Sequence, residues 1–322
     1  MTHAPTILVF DSGLGGLTVF RETKAVRPDA RFVYLADDAG FPYGDLSEED
    51  LVARVTEVLA DAIARHEPDL VVVACNTAST LALAHLRSRF VVPFVGTVPA
   101  IKPACARSKS KRVSVLGTQA TVGREYTRAL IREFADGCDV HLVGSPRLAS
   151  YAEAELAGNA VDDAAIRAQT GDCFIDVGAR RTDTIVLACT HYPLLLERFR
   201  AVAPWTVDWL DPAPAIARRV RRSSHRIHIR ATGVARAQAR ACHIRFLARD
   251  MRPYLKRAAP DHVEGNVENN REPEISDPAM LVEQSCNESR SGTHQHDRKR
   301  QAKDKRGRMI ACGPRHREDV VE

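Results

Sequence analysis

The sequence predicts an α/β protein made of two related domains, each containing a parallel sheet. Short runs rich in β-branched residues alternate with longer helical patterns through residue 220, a rhythm typical of parallel sheets covered by helices. A polar turn followed by an Ala-Cys motif occurs twice along the chain, which indicates an internal repeat. A length of 322 residues also leaves room for two domains.

The predicted strands are near-continuous apolar runs. They comprise 6–10, 31–36, 69–74, 91–95, 112–116, 139–143 and 184–188. Helices are expected over 47–66, 123–135 and 147–157. The first of these helices has Ser47 as its N-cap and three acidic residues in its first turn, which suit the positive end of the helix dipole.

Composition excludes several classes of protein. The chain has no run of about 18 consecutive apolar residues, so we expect no membrane span. Its first residues lack the basic and apolar regions of a signal peptide. The eight cysteines have no framework spacing and are interpreted as reduced thiols of a cytoplasmic protein. No CxxC or HxxxH pair occurs in residues 1–220, so no metal site is predicted there.

Two cysteines stand in segments that read almost alike. Cys75 lies in VVVACNTAST and Cys189 in TIVLACTHYPLL, each at the carboxyl end of a predicted strand. Open parallel sheets bind ligands at this edge. Each cysteine also precedes a predicted helix N-terminus, which favours the thiolate. Two opposed thiols suit proton exchange at a single carbon without a cofactor.

Other polar residues fall at the same strand ends. The turn DSGLGG (11–16) is neither a P-loop nor a dinucleotide-binding motif. It either leads into a helix that holds a carboxylate or is an ordinary turn capped by Asp11. His191 could relay the proton of Cys189, and Asp11 could accept that of Cys75. No lysine of residues 1–220 lies at a predicted strand end, which disfavours pyridoxal phosphate as a cofactor.

Together these motifs resemble the bacterial glutamate racemases, within the aspartate/glutamate racemase superfamily. The matching stretches cover most of residues 6–220 and are ILVFDSGLGGLTV, YLADDAGFPYG, VVVACNTAST, VPFVGTVPAIKPA, VSVLGTQATV and IVLACTHYPLL. The resemblance implies interconversion of L- and D-glutamate for peptidoglycan synthesis, with no cofactor and no metal. It further implies two α/β domains with the active site in the cleft between them.

The resemblance also implies roles for individual residues. Cys75 and Cys189 would be the acid/base thiols, assisted by Asp11 and His191 respectively, and Glu153 in SPRLASYAEAEL would help His191. The substrate-binding positions would be Asp11, Ser12, Tyr43, Gly44, Asn76, Thr77, Thr190 and His191. The first domain would comprise 1–97 with about 208–220, and the second 98–207.

From Arg221 onward the sequence departs from this pattern. Residues 221–322 contain 22 Lys and Arg against 14 Asp and Glu, whereas the rest of the chain is mildly acidic. We expect a basic helix over 231–258 and disorder over 261–322. The tail is interpreted as a frame-shifted translation of a normal ending, a natural extension that binds nucleic acid or another polyanion, or an inert appendage.

Two other functions stay open at this point. The chain could be another racemase of the superfamily, acting on aspartate or a hydantoin, since nothing in the motifs measures the length of a substrate side chain. It could instead be an inactive binding protein whose basic tail dominates. The expected partners are the small molecule glutamate and a second copy of the chain, with no membrane, and nucleic acid only if the tail is genuine.

Overall fold

A computed structural model describes residues 4–178, 180–231 and 280–284. The strands are β1 (Thr6–Asp11), β2 (Arg31–Ala36), β3 (Leu70–Val73), β4 (Phe94–Gly96), β5 (Arg112–Gly117), β6 (Asp139–Gly144), β7 (Asp176–Val177), β8 (Arg180–Arg181), β9 (Thr184–Ala188), β10 (Asp208–Leu210) and β11 (Met280–Gln284). The α-helices are α1 (Leu17–Val26), α2 (Glu48–His66), α3 (Asn76–Arg89), α4 (Ile101–Arg107), α5 (Gln119–Val122), α6 (Glu125–Phe134), α7 (Leu148–Leu156), α8 (Asp163–Thr170), α9 (Leu196–Val202) and α10 (Ala213–Ala231). Short 3-10 segments occupy Asp38–Gly40, Tyr43–Asp45, Gly171–Cys173 and Tyr192–Leu195.

The first sheet has the strand order β11-β2-β1-β3-β4, and all of its pairs are parallel. Every residue of β1 and β3 is buried, as expected for central strands covered on both faces. Ile7 and Val9 join an apolar cluster on one face, and Leu8 and Phe10 join a separate cluster on the other. This alternation explains why β1 reads as one continuous apolar run in the sequence.

The second sheet has the order β10-β9-β5-β6 and is also parallel. One of its two central strands, β9, carries Ile185 and Leu187 into one apolar cluster and Val186 into another. The strands β7 and β8 form a separate antiparallel pair. The predicted fold class, α/β with more than one parallel sheet, is therefore confirmed.

The chain returns from the second sheet to the first through α10. Ala213, Ile216 and Val220 of this helix pack in the same apolar cluster as Leu17 and Phe20 of α1. The return begins later than the predicted residue 208, because β10 pairs with β9 and therefore belongs to the second sheet. No strand was predicted in TVDWLD, and three of its residues form β10.

The tail differs from its prediction at five residues. The strand β11 lies within 261–322, where disorder was expected, and pairs in parallel with β2. An edge strand exposes a row of unpaired backbone groups, and a short apolar stretch such as MLVEQ can satisfy them. The helix α10 runs on to Ala231. The basic helix expected over 231–258 and the rest of 261–322 otherwise lie outside the described residues.

The predicted helices are found with small shifts. Ser47 caps α2, accepting a hydrogen bond of 3.1 Å from the backbone N–H of Asp50. The helix predicted over 123–135 is α6, which begins at Glu125, and the short helix α5 before it was not predicted. Within the described part of the chain, no helix combines the length and the apolarity that crossing a membrane requires.

Candidate active site

The carboxyl ends of the two sheets face each other and bring the predicted side chains together. Asp11 ends β1, Cys75 follows β3, and Cys189 follows β9. Thr190 Oγ1 donates a hydrogen bond of 3.1 Å to Asp11 Oδ1, which joins the end of the second sheet to the end of the first. On the other flank, Thr77 Oγ1 lies 3.1 Å from Thr118 Oγ1, at the end of β5. The predicted residues of both sheets thus line one cleft.

Cys75 occupies the N-cap position of α3. Its sulfur accepts from the backbone N–H of Ala78 at 3.5 Å and lies 3.6 Å from Ser12 Oγ. The side chain is only 5% exposed. Burial, followed by the charge of Asp11, raises the pKa of the Cys75 thiol to about 12, against the opposing effect of the contacts with Ala78 and Ser12. Cys75 is therefore a neutral thiol in this state.

The sulfur of Cys189 contacts the imidazole of His191, which in turn contacts the carboxylate of Glu153. His191 Nδ1 lies 3.9 Å from Cys189 Sγ, and His191 Nε2 lies 2.8 Å from Glu153 Oε1. Glu153 is on α7, and its Oε1 also accepts a hydrogen bond of 2.8 Å from the backbone N–H of Leu14. Burial acts to raise the pKa of Glu153, but the bonds from His191 and Leu14 outweigh it and lower that pKa.

The ring of His191 is buried between groups that favour its protonated form. Burial alone would lower the pKa of His191, but the contacts with Cys189 and Glu153 raise it well above the ordinary value. The backbone N–H of Gly15 also lies 3.2 Å from Nε2. Nε2 cannot accept from Gly15 while it donates to Glu153. The shorter, charge-assisted contact with Glu153 prevails while the ring is protonated, and Gly15 becomes the donor once Nε2 loses its proton.

Asp11 is fully buried and receives hydrogen bonds on both carboxylate oxygens. The backbone N–H of Gly13 donates to Oδ2 at 3.1 Å, and Thr190 donates to Oδ1. Burial raises the pKa of Asp11 to about 6, although His191 and the bonds from Gly16, Gly13 and Thr190 lower it. The charge of Asp11 raises the pKa of Cys75, whereas the hydrogen-bond contacts of the sulfur are with Ala78 and Ser12.

Tyr43 and Gly44 form another wall of the cleft. Tyr43 packs in the same apolar cluster as Cys75, and its hydroxyl donates to Asp37 Oδ2 at 2.5 Å. Arg54 of α2 binds both oxygens of the fully buried Asp37, at 2.5 and 2.6 Å. A Cβ at Gly44 would lie 3.6 Å from Thr118 Cβ, an ordinary van der Waals distance, so the two walls of the cleft approach each other closely here. Asp37 and Arg54 were not predicted as site residues, although Asp37 stands inside the motif YLADDAGFPYG.

Asn76 and Thr77 begin α3 beside Cys75. The amide of Asn76 is buried, and neither its nitrogen nor its oxygen has a hydrogen-bond partner among the described residues. The first N–H groups of a helix also lack partners within that helix. Buried polar atoms without partners at a strand end are typical of a ligand site. Thr77 Oγ1 further lies 3.3 Å from Thr121 Oγ1.

Cys189 and the other buried cysteines of the second domain differ from Cys75 in their surroundings. Cys189 does not lead directly into an α-helix, since a 3-10 turn at Tyr192–Leu195 comes before α9. The favourable helix dipole expected there is correspondingly weaker. Cys105 is buried beside Lys111 at the amino end of β5, away from the cleft, and Cys173 is buried in the apolar cluster that also contains Cys189. In the described ranges, no group of three or more His, Cys, Asp or Glu side chains is placed to hold a metal ion.

Two parallel α/β domains, each with an Ala-Cys motif at a strand end, define the class of this protein. The chain belongs to the Asp/Glu/hydantoin racemase family, whose model matches residues 18–220. It is 59% identical over 216 residues to the glutamate racemase of Brucella ovis, covering 67% of this chain and 78% of that protein. The resemblance to glutamate racemases is thereby confirmed.

Solved structures lead to the same group. The Escherichia coli glutamate racemase, in complex with L-glutamate and the activator UDP-MurNAc-Ala, shares 40% identity at a TM-score of 0.65, over 70% of this chain and 83% of that one. The Thermus thermophilus glutamate racemase shares 32% identity at a TM-score of 0.55, over 74% of this chain and 84% of that one. The family match ends at Val220, next to the point where the tail departs from the pattern.

Proposed function

We propose that this chain interconverts L- and D-glutamate by a two-base mechanism that uses no cofactor. The observation that carries the proposal is the pair of buried thiols at facing strand ends, each with its own acid or base nearby. Its relatives, the B. ovis and E. coli proteins, are named glutamate racemases, and the latter was solved with L-glutamate bound. The substrate of this chain is inferred from them.

Cys189 is set to remove the α-proton in the state described. A protonated His191 beside the sulfur would stabilise a negative charge on it, and the Glu153 carboxylate stabilises the imidazolium in turn. The proton passes from the α-carbon to the Cys189 sulfur, and the electron pair of the broken C–H bond stays on the substrate.

Cys75 then supplies a proton from the opposite face. Because its pKa is raised to about 12, Cys75 holds its proton until the substrate carbanion accepts it. A new C–H bond of inverted configuration forms, and Cys75 is left as the thiolate while Cys189 is the thiol. In the reverse direction Cys75 must begin ionised, and we assign Asp11 the role of accepting its proton.

The remaining polar residues would bind the substrate. The unpartnered amide of Asn76 and the N–H groups that begin α3 suit a carboxylate. Asp11 and Thr190 are available to the substrate ammonium and to each other. The other positions assigned to substrate binding are Ser12, Tyr43, Gly44, Thr77 and His191. We further propose that the enzyme works in the cytoplasm, as a homodimer, supplying D-glutamate for peptidoglycan, and that nucleic acid is a partner only if the tail is a natural extension.

Circular dichroism of purified full-length protein with L- or D-glutamate tests the proposal. We expect wild type to remove the optical activity of either enantiomer, and Cys75→Ala and Cys189→Ala to leave it unchanged. Cys105→Ala, at a buried cysteine away from the cleft, is the matched control and should behave as wild type. Turnover of aspartate but not glutamate would assign the chain to another branch of the family, and no turnover of either would refute the proposal.

Deuterium incorporation distinguishes a two-base mechanism from a one-base mechanism. In D₂O, two monoprotic thiols should place deuterium at the α-carbon of the product enantiomer, while unreacted substrate keeps its protium early in the reaction. Equal early labelling of both enantiomers would indicate a single base that returns the proton to either face. Mass spectrometry after chiral separation measures the two labels independently.

A further inference from the structure

The glycine-rich turn of residues 13–16 touches both half-sites of the cleft. Its backbone N–H groups donate to a carboxylate on each side, Gly13 to Asp11 and Leu14 to Glu153, and a Cβ at Gly16 would lie only 2.9 Å from Asp11 Cγ. A side chain at Gly15 would lie 2.5 Å from His191 Nδ1, so the turn also packs directly against the imidazole ring. The placement of this turn therefore affects the neighbours of both cysteines.

Two buried hydroxyl groups hold this turn from behind. Tyr34, on β2, donates a hydrogen bond of 2.8 Å to the carbonyl oxygen of Gly13. Thr18, on α1, has its hydroxyl 2.9 Å from the carbonyl oxygen of Gly15 and 3.2 Å from that of Thr190. Both side chains are buried, and neither is among the residues to which the sequence assigned a role.

Because each peptide unit is planar, a hydrogen bond that fixes its carbonyl oxygen also fixes the direction of its N–H group. The carbonyl of Gly13 and the N–H of Leu14 belong to one rigid peptide unit, so fixing the oxygen aims the N–H at Glu153. The carbonyl of Gly15 and the N–H of Gly16 belong to another unit, so fixing that oxygen holds Gly16 against the Asp11 carboxyl group, where a Cβ would lie 2.9 Å from Asp11 Cγ.

We infer that Tyr34 and Thr18 are positioning residues that set the two half-sites separately, Tyr34 through Glu153 and Thr18 through Asp11. This inference rests on the proposed racemase function. Tyr34 orders the carboxylate that orients His191 beside Cys189, and Thr18 orders the carboxylate beside Cys75. Neither hydroxyl is assigned a contact with substrate.

Crossed double-mutant cycles on the full-length protein test this assignment. We expect Tyr34→Phe and Thr18→Val each to lower kcat by about tenfold, the scale of one buried hydrogen bond, with little change in KM. Tyr34→Phe should lose most of its effect in a Glu153→Gln background but keep it in an Asp11→Asn background. Thr18→Val should show the opposite dependence. Deuterium incorporation followed by NMR makes slow turnover in the double variants measurable.

A pH profile gives a readout that a loss of stability would not produce. The titratable groups that face Asp11 are Tyr34 from β2, Cys75 from the start of α3 and His191 from the end of β9. Because the Gly16 N–H lowers the pKa of Asp11, Thr18→Val should move the acid limb of kcat to higher pH. Thr18→Ser keeps the hydroxyl and should restore both kcat and the limb.

Thr23→Val is the matched control for the lost hydroxyl. Thr23 lies one turn further along α1, is fully buried and bonds only within the helix, to the carbonyl of Val19 at 2.8 Å. We expect its kcat and pH profile to match wild type even if its melting temperature falls. Folded Tyr34→Phe and Thr18→Val proteins with kcat within twofold of wild type, or equal effects in both backgrounds, would overturn the inference. An inactive wild type would instead refute the proposed function.

Discussion

The two cysteine half-sites share a strand-end plan but stabilise their sulfur atoms in different ways. Cys75 is surrounded by fixed dipoles, namely the Ala78 N–H and the Ser12 hydroxyl. Cys189 faces a titratable pair, His191 and then Glu153. A sequence repeat can therefore keep the position of a thiol while its surroundings differ: the sulfur of Cys75 contacts two dipoles and feels Asp11 only through charge, whereas the sulfur of Cys189 contacts a titratable imidazole.

The largest effect is expected where the turn meets the Cys189 half-site. In Gly15→Ala the new methyl group would stand 2.5 Å from His191 Nδ1 and 2.7 Å from its backbone nitrogen, so the ring and the chain must both shift. Because misplacement by about 1 Å already reduces turnover roughly a hundredfold, we expect kcat to fall at least about that far. Gly171→Ala is the matched control, since a methyl group there meets nothing within 4 Å and should leave kcat unchanged.

Asp11→Asn should separate activity from stability on the Cys75 side. We expect kcat to fall about a hundredfold, since the carboxylate can no longer accept the Cys75 proton. The pKa of Asp11 is about 6 in the folded protein against an ordinary 3.8, so the unfolded chain loses this proton first as the pH rises. The free energy of unfolding therefore falls between those two pH values. The variant has no carboxyl group to ionise there, so it avoids this loss of unfolding free energy, roughly 3 kcal/mol at neutral pH.

Melting temperatures measured from pH 4 to pH 8 check the second effect. The variant should match or exceed wild type above pH 6, and its advantage should shrink towards pH 4. A variant less stable than wild type at every pH would show that the hydrogen bonds of the carboxylate outweigh its burial.

Glu153→Gln tests the proton relay on the Cys189 side. Loss of the carboxylate should lower the pKa of His191, because Glu153 is one of the two groups that raise it. The imidazolium is then lost at lower pH, so the alkaline limb of kcat/KM should move down in pH and kcat should fall about tenfold. An unshifted limb would show that Cys189 alone keeps the ring protonated. Glu133→Gln is the matched control, because it makes the same chemical change at an exposed position of α6.

Ser12→Ala should have the smallest effect. The hydroxyl contact lowers the pKa of Cys75, so its loss should raise that pKa further and reduce kcat about threefold, the scale of one weak hydrogen bond. The pH dependence on the His191 side should stay as in wild type. A shifted His191 limb would show that the two half-sites are coupled more closely than their separate contacts indicate.

Strand positions could be predicted from the sequence because the central strands are buried on both faces. The runs that became β1, β3, β5 and β9 are dominated by apolar residues, a pattern typical of strands covered on both faces. The strand β10 was missed because three residues give no periodicity. The helix α5 was missed because four residues are too few to show a helical period.

Within the candidate site, local motifs identified the residues but not their contacts. Asp11, Cys75 and His191 stand in recognisable turns at strand ends. Glu153 has no such signal, and it was found only through the family resemblance. Its bond to Leu14 joins residues 139 positions apart, and the contact of Gly15 with His191 spans 176. Separations of this size are set by how two domains close on each other, which no short window of sequence encodes.

The course of the chain between the two sheets restricts how the cleft can open. The chain leaves the first sheet after β4 and comes back between β10 and α10, both times through only a few residues. These two short connections form a hinge. They allow one sheet to rotate about the line that joins them, and they restrict sliding of one sheet past the other. Ligand entry would therefore widen the rim of the cleft most, while the strand ends nearest the connections move least.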